Sequence, residues 1–264
     1  MRLLKKVLLF IVATIVIVLM GAYLLQEKFI FLPSKLPQEY VYEFDHDFEE
    51  LFIETEDGAR LNALHFKQEN PRGIIVYYHG NAGDLSRWGE ITSYFLQYNY
   101  EVLVMDYRTY GKSTGKISEK ALYSDAQLFY NKAKELFPEG KIVVYGRSIG
   151  TPIAAYVASK NDPKKLILET PFYDFKKLVK DKFPLVPLGL LKYEFPTAHF
   201  ADDVKCRIVI IHGTDDGIIP FEMGMQLYSV LPEEERNFIT VKGGKHNDLI
   251  TFQEYRLTIY KELL

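Results

Sequence analysis

Apolar positions follow three rhythms along this chain. From Val7 to Leu25, nineteen consecutive residues carry no charge. Further on, short runs are apolar almost throughout: Gly73–Tyr78 ("GIIVYY"), Glu101–Met105 ("EVLVM"), Lys141–Tyr145, Lys165–Glu169 ("KLILE"), Arg207–Ile211 ("RIVII") and Phe238–Val241. Runs of that length without polar alternation predict strands buried on both faces. Between them, mixed segments predict helices over Leu85–Tyr98 and Ser118–Phe137, from Ile149, from Phe221, and over Leu249–Leu264. Leu51–Phe66 predicts a hairpin turning at Asp57-Gly58. Strand and helix in alternation specify an α/β domain: a mostly parallel central sheet, an N-terminal antiparallel hairpin, and helices on both faces.

The uncharged N-terminal run follows Arg2, Lys5 and Lys6. Nineteen residues at about 1.5 Å each reach roughly 28 Å, close to the hydrocarbon thickness of a bilayer. A cleaved signal peptide has a shorter apolar core and small residues at its cleavage site. The nearest match here is Met20-Gly21-Ala22, and Met is not small. The reading is therefore an uncleaved anchor over 1–25, a juxtamembrane linker over 26–40 and the α/β domain over 41–264. Cations precede the span and few follow it closely, which predicts a single pass with a cytoplasmic N-terminus and the domain on the other side.

One connection interrupts the alternation. Between Glu169 and Arg207 lie more than thirty residues rich in Phe, Tyr, Pro and Leu. A loop this long in a compact domain is usually functional. Residues 171–205 are expected to form a lid or pocket wall, with Phe172, Phe175 and Phe183 facing a lipid-like or other small-molecule ligand.

Composition narrows the class further. The chain has 264 residues, a net charge of −3, 48% hydrophobic and 25% charged residues. With no basic stripe interleaved with aromatics, nucleic-acid binding is disfavoured. Cys206 is the single cysteine, which rules out an intrachain disulfide and a cysteine-rich metal site. It reads as a core thiol. Composition does not fix an oligomeric state.

The chemistry centres on "VVYGRSIGTP" (143–152). An apolar strand running into a helix at Ile149 leaves Ser148 on the sharp turn between them. Gly146 and Gly150 remove the side chains that would crowd it, the pattern of a nucleophile elbow. The helix start offers unpaired N–H groups where a tetrahedral oxyanion would form. A serine hydroxyl needs a base, and the base needs an orienting acid. His246, in "KGGKHND" after the last strand, is favoured over His199 in the long connection and over His212, which closes a strand. Asp215 and Asp216, in "HGTDDGIIP", are the candidate acids, with Glu169 at the end of an earlier strand as a third. Upstream, "HGNAGD" (79–84) follows a strand, and the N–H of Asn81 or Ala82 is expected to join that of Ile149 in the oxyanion hole.

Together, "HGNAGD", "DYRTYGKSTG", "YGRSIGTP", "HGTDDGIIP" and "GGKHND" resemble the α/β-hydrolase superfamily, in particular its serine-aminopeptidase-like branch with membrane-anchored members. The resemblance covers roughly residues 26–260. It implies an α/β-hydrolase fold with Ser148 as nucleophile, Asp216 as acid and His246 as base, and it needs no metal or organic cofactor. Thr109 stands where the family's "DYRGYG" has glycine. The expected activity is cleavage of an ester, thioester or amide through an acyl-enzyme, with a carboxylesterase or acyl-thioesterase favoured. The alternatives are a serine aminopeptidase-like peptidase, which would use a carboxylate such as Glu194 or Asp174 to hold an α-amino group, and a non-catalytic membrane scaffold.

Overall fold

The computed structural model describes residues 2–233 and 236–264. In chain order the elements are α1 (Arg2–Ile30), β1 (Leu32–Pro33), β2 (Phe48–Glu54), β3 (Arg60–Phe66), β4 (Gly73–Tyr78), β5 (Ala82–Gly83), α2 (Leu85–Ser93), β6 (Tyr100–Met105), α3 (Glu119–Leu136) and β7 (Ile142–Arg147). There follow α4 (Gly150–Lys160), β8 (Lys165–Glu169), α5 (Phe175–Lys182), α6 (Thr197–Asp202), β9 (Arg207–Gly213), α7 (Phe221–Val230), β10 (Arg236–Val241) and α8 (Gln253–Leu263).

Eight strands form one sheet in the order β10-β9-β8-β7-β4-β6-β3-β2. The β2–β3 and β3–β6 pairs are antiparallel, and the other pairs are parallel. The apolar runs behave as their composition demands, since β4, β7 and β8 are buried along their whole length. Successive side chains then serve opposite cores. Ile74, Val76 and Tyr78 pack with α3 and α4 on one face, while Ile75 and Tyr77 pack with Trp88 of α2 and Tyr255 of α8 on the other.

Several boundaries differ from the sequence pattern. The hairpin begins three residues earlier, at Phe48, and turns through Gly58 at φ +81°. The helix expected over Leu85–Tyr98 becomes α2 followed by a 3₁₀ turn over Tyr94–Tyr98. The tighter turn carries Phe95, Leu96 and Tyr98 into the core, and Asn99 closes it at φ +58°. The last helix is also split. Leu249–Thr251 is a 3₁₀ turn, Phe252 is extended, and α8 starts at Gln253. Asp248 causes the break: its carboxylate accepts from the Lys245 N–H and its carbonyl from the Thr251 hydroxyl, closing the loop on itself. At the N-terminus α1 runs from Arg2 to Ile30, so the described part of the expected 1–25 anchor and the first part of the 26–40 linker share one helix.

β4 lies between β7 and β6, so the crossovers leave it in opposite directions and a crevice opens at the carboxyl ends of β4 and β7. The loop after β6 braces that crevice. The Tyr107 hydroxyl donates to the His79 carbonyl and the Tyr110 hydroxyl to the Asn81 carbonyl, each at 2.7 Å. Arg108 is locked to Asp57 and Asp125. Between these anchors Thr109 is forced to φ +76°, a region β-branched residues avoid. Replacing Thr109 with Gly should relieve that strain and raise stability by about 1 kcal/mol, read as a higher thermal midpoint in detergent.

Candidate active site

The site is assembled from three strand ends. After β7 the chain turns so sharply that Ser148 takes φ +55° before α4 begins at Gly150. Its conformation is pinned by the Ser148 N–H donating to the Glu169 carbonyl at 2.9 Å, and by the Thr151 hydroxyl donating to the Ser148 carbonyl at 2.7 Å. The flanking glycines are sterically required. A Cβ on Gly146 would lie 2.5 Å from the Gly150 carbonyl oxygen and 2.6 Å from the Ala154 Cβ. One on Gly150 would collide with the Tyr78 carbonyl.

From the ends of β9 and β10 come Asp216 and His246, both buried. His246 Nε2 lies 3.0 Å from the Ser148 Oγ, and Nδ1 lies 2.8 Å from Asp216 Oδ2. The other Asp216 oxygen accepts the N–H groups of Ile218 and Ile219, each at 2.8 Å. Burial pushes the Asp216 carboxyl up. The hydrogen bonds from His212 and His246, the charge of His246 and the Ile219 N–H outweigh burial and hold it below the ordinary carboxylate range. Asp216 is thus a carboxylate at neutral pH, able to fix the imidazole tautomer with Nδ1 protonated.

Of the other candidates, His212 lies behind the site, its Nε2 3.4 Å from Asp216 Oδ2 and 3.0 Å from the Ile219 carbonyl, and the rest fall elsewhere. Asp215 is exposed and accepts from the Thr214 hydroxyl. Glu169 is buried against Arg147 and accepts from the Tyr145 hydroxyl at 2.6 Å. His199 is exposed on α6, and His79 is buried among Trp88, Tyr107 and Tyr110. Glu194 pairs with Lys176, and Asp174 caps α5 through the Lys177 N–H.

A cavity of about 800 Å³ opens beside Ser148. Asn81 and Ile149 line it, as do Phe172, Phe175 and Phe183 from the long connection. Ala82 lies one residue beyond Asn81, in β5, and its carbonyl accepts from the Trp88 indole. The cavity is also lined by Val18, Leu19, Ala22 and Tyr23 of α1, which the sequence pattern did not single out. A second supporting group that the pattern did not reveal is Arg147. Its guanidinium donates to the His246 carbonyl at 3.3 Å and to Asn247 Oδ1 at 3.2 Å, tying the histidine loop to β7. Among the described residues no cluster of His, Cys, Asp and Glu could hold a metal ion.

An eight-stranded, mostly parallel sheet with a strained serine facing a histidine–aspartate pair is the architecture of an α/β hydrolase. Comparison with known proteins agrees. The family model described as serine aminopeptidase, S33, matches residues 69–200. The chain is 36% identical over 186 residues to the α/β-hydrolase domain-containing protein aho-3 of Caenorhabditis elegans, covering 68% of this chain but only 54% of that protein. It is 29% identical over 252 residues to the bem46 protein of Schizosaccharomyces pombe, covering 89% and 84% of the two chains. With the α/β-hydrolase domain-containing protein 17C of Xenopus tropicalis it shares 30% identity over 209 residues, 76% of this chain and 65% of that one. Among solved structures, an esterase of Pyrococcus furiosus superposes with a TM-score of 0.67 at 19% identity, over 89% of this chain and 96% of the other, a likeness of fold. The chain belongs to the α/β-hydrolase family.

Gly150→Ala should destabilise the protein by about 3 kcal/mol, the upper end for overpacking, because its neighbour is unyielding backbone. Denaturant titration checks this, and Gly140→Ala, at a site with open space around it, serves as the control.

Proposed function

We propose that this α/β hydrolase is a membrane-anchored serine hydrolase that cleaves a carboxylic ester or thioester through an acyl-enzyme. The observation that carries the reading is the continuous row Asp216–His246–Ser148, with spacings of 2.8 and 3.0 Å. His246 Nε2 takes the Ser148 proton as Oγ attacks the acyl carbonyl. The Asp216 carboxylate stabilises the imidazolium that forms. The oxyanion is held by the Ile149 N–H at the start of α4 and by an N–H of the 81–82 turn. His246 then protonates the leaving alcohol or thiol. Water, deprotonated by His246, attacks the acyl-enzyme and releases the carboxylic acid, restoring the serine.

An apolar cavity favours an acyl chain over a peptide. The carboxylates that would hold a peptide's α-amino group, Glu194 and Asp174, are already engaged with Lys176 and the N-terminus of α5. Each methylene buried against the cavity wall contributes up to about 0.8 kcal/mol, so specificity should rise with chain length until the cavity is full.

The anchor is part of the same reading. α1 is long and apolar enough to cross a bilayer by length and composition. With cations at its start, residues 1–25 would hold the 41–264 domain on the non-cytoplasmic side, joined through 26–40. Full-length protein should therefore remain in the membrane pellet after carbonate extraction, and a mature N-terminus near residue 23 would instead mark a cleaved leader.

Ser148→Ala should abolish fluorophosphonate labelling and lower ester turnover by about 10⁴-fold or more. Asp216→Asn should lower turnover by about 10⁴-fold, by favouring the wrong imidazole tautomer. Asp215→Asn, at an exposed position, should cost less than about tenfold. Near-normal turnover in the serine variant would overturn the mechanism, and the reverse order for the two aspartates would move the acid by one residue.

A further inference from the structure

The N-terminal helix does more in this structure than tether the domain. It is fastened at its last turns by specific polar contacts. The buried Gln26 side chain donates to the Leu190 carbonyl at 3.1 Å and accepts from the Lys192 N–H at 2.8 Å. Lys192 pairs with Glu27 at 2.9 Å and sits 4.7 Å from the Tyr23 ring centroid. The Asn81 amide donates to the Ile30 carbonyl at 2.7 Å, and Phe31 is buried against Tyr193 and Phe195. Asn81 and the 190–192 turn belong to the catalytic pocket and its cap. The helix is therefore held in register with the pocket rather than hanging from a free linker.

One face of that helix closes the cavity. Its lining positions run from Val18 to Ile30, about 18 Å along the axis. Val18, Leu19, Ala22 and Tyr23 lie within the uncharged Val7–Leu25 run. If those positions were lifted out of the bilayer to sit in water, only Val7–Ile17 would remain, about 16 Å of helix and too little to span. A spanning α1 thus brings the cavity to the hydrocarbon boundary. The cap is suited to that depth. Phe183 and Leu185 are 61% and 95% exposed, and Ile218 across the mouth is 53% exposed. Exposed Lys180 flanks this apolar rim with a long cationic stem of the kind that reaches headgroups, while Lys182 bridges the mouth by donating to the Gly217 carbonyl at 2.7 Å.

We propose that α1 is a wall of the acyl site and a determinant of its specificity. The cavity opens between α1 and the 183–191 cap into the bilayer, and its substrate is a membrane-resident molecule carrying a long acyl chain, which enters laterally. The chain lies along Val18–Tyr23 while its carbonyl reaches Ser148. This rests on the hydrolase reading above for the identity of the reacting serine, but the wall itself is a matter of binding and can be read separately.

The test uses full-length protein in phosphatidylcholine vesicles. Hexadecanoic acid carrying a diazirine at its terminal carbon should crosslink within residues 18–23 of α1, in wild type and in Ser148→Ala alike. Ala22→Trp, which fills the cavity, should abolish that crosslink and lower the ratio of hexadecanoyl to butanoyl ester turnover at least tenfold. Leu24→Trp, on the opposite face of the helix, should leave the ratio unchanged. A hexadecanoyl ester in the same vesicles as the enzyme should be cleaved faster than one supplied in separate vesicles. Crosslinking to α1 without any Ser148-dependent ester turnover would support the wall and overturn the hydrolase reading. Ser148-dependent turnover whose chain-length ratio is the same in Ala22→Trp and wild type, with no crosslink on α1, would overturn the wall and leave the hydrolase reading standing. Equal rates from shared and separate vesicles would overturn lateral entry.

Discussion

The backbone at Ser148 is the constraint around which the rest is arranged. A non-glycine residue at φ +55° persists only where its surroundings over-determine it. Here the Glu169 carbonyl takes the Ser148 N–H, and α4 starts almost in contact with the carbonyl of Tyr78. That contact requires β4 and β7 to be adjacent, with Tyr78 in register with Gly146. The same adjacency places the 79–84 loop beside the serine. A strained turn, a glycine on each side of it and a parallel pair of central strands are consequently one structural feature, and the cavity at the switch point follows from it.

Supporting that turn is a buried polar layer one step below the site. Arg147 and Glu169 are partners across the β7–β8 register, and both are almost fully buried. The pair is acceptable inside the protein because its remaining hydrogen-bonding capacity is used: Tyr145 serves the carboxylate, and the His246 carbonyl and Asn247 serve the guanidinium. The elbow and the histidine loop come from strands that are not neighbours in the sheet, since β8 and β9 separate β7 from β10. Arg147 bridges that gap. The strand that carries Ser148 and the loop that carries His246 are thus joined by a side chain that touches none of the three carboxylate, imidazole or hydroxyl groups.

How much of this could be read in advance depended on whether a feature was local. The buried strands were legible because Gly73–Tyr78 and Lys165–Glu169 carry apolar residues at nearly every position, which only a doubly covered sheet tolerates. Ser148, Asp216 and His246 were legible as candidates because each sits at a strand end in a glycine-bearing turn. The broken ends of the helices were not, because Asp248 and Asn99 act through hydrogen bonds and backbone angles that the apolar periodicity does not register. Arg147 was hidden inside the elbow motif as an unremarked variable position. Its partner Glu169 looked like a possible acid until the fold turned it toward Tyr145 and Arg147.

The role proposed for α1 was hidden for a different reason. Its sequence is apolar on every side, so no stripe marks the face that meets the rest of the protein. Only its end carries a signal: Gln26 and Glu27 interrupt the apolar sequence where water would be expected to begin, yet both bond to the 190–192 turn. Polar residues at the end of a long apolar helix usually mark where it meets water; here they mark a joint with the 190–192 turn. A joint at that level has a mechanical consequence. If α1 spans a bilayer as proposed, it cannot tilt without moving the cap and the loop that carries Asn81, and bilayer thickness and the width of the cavity mouth would be coupled through Gln26, Lys192 and Asn81.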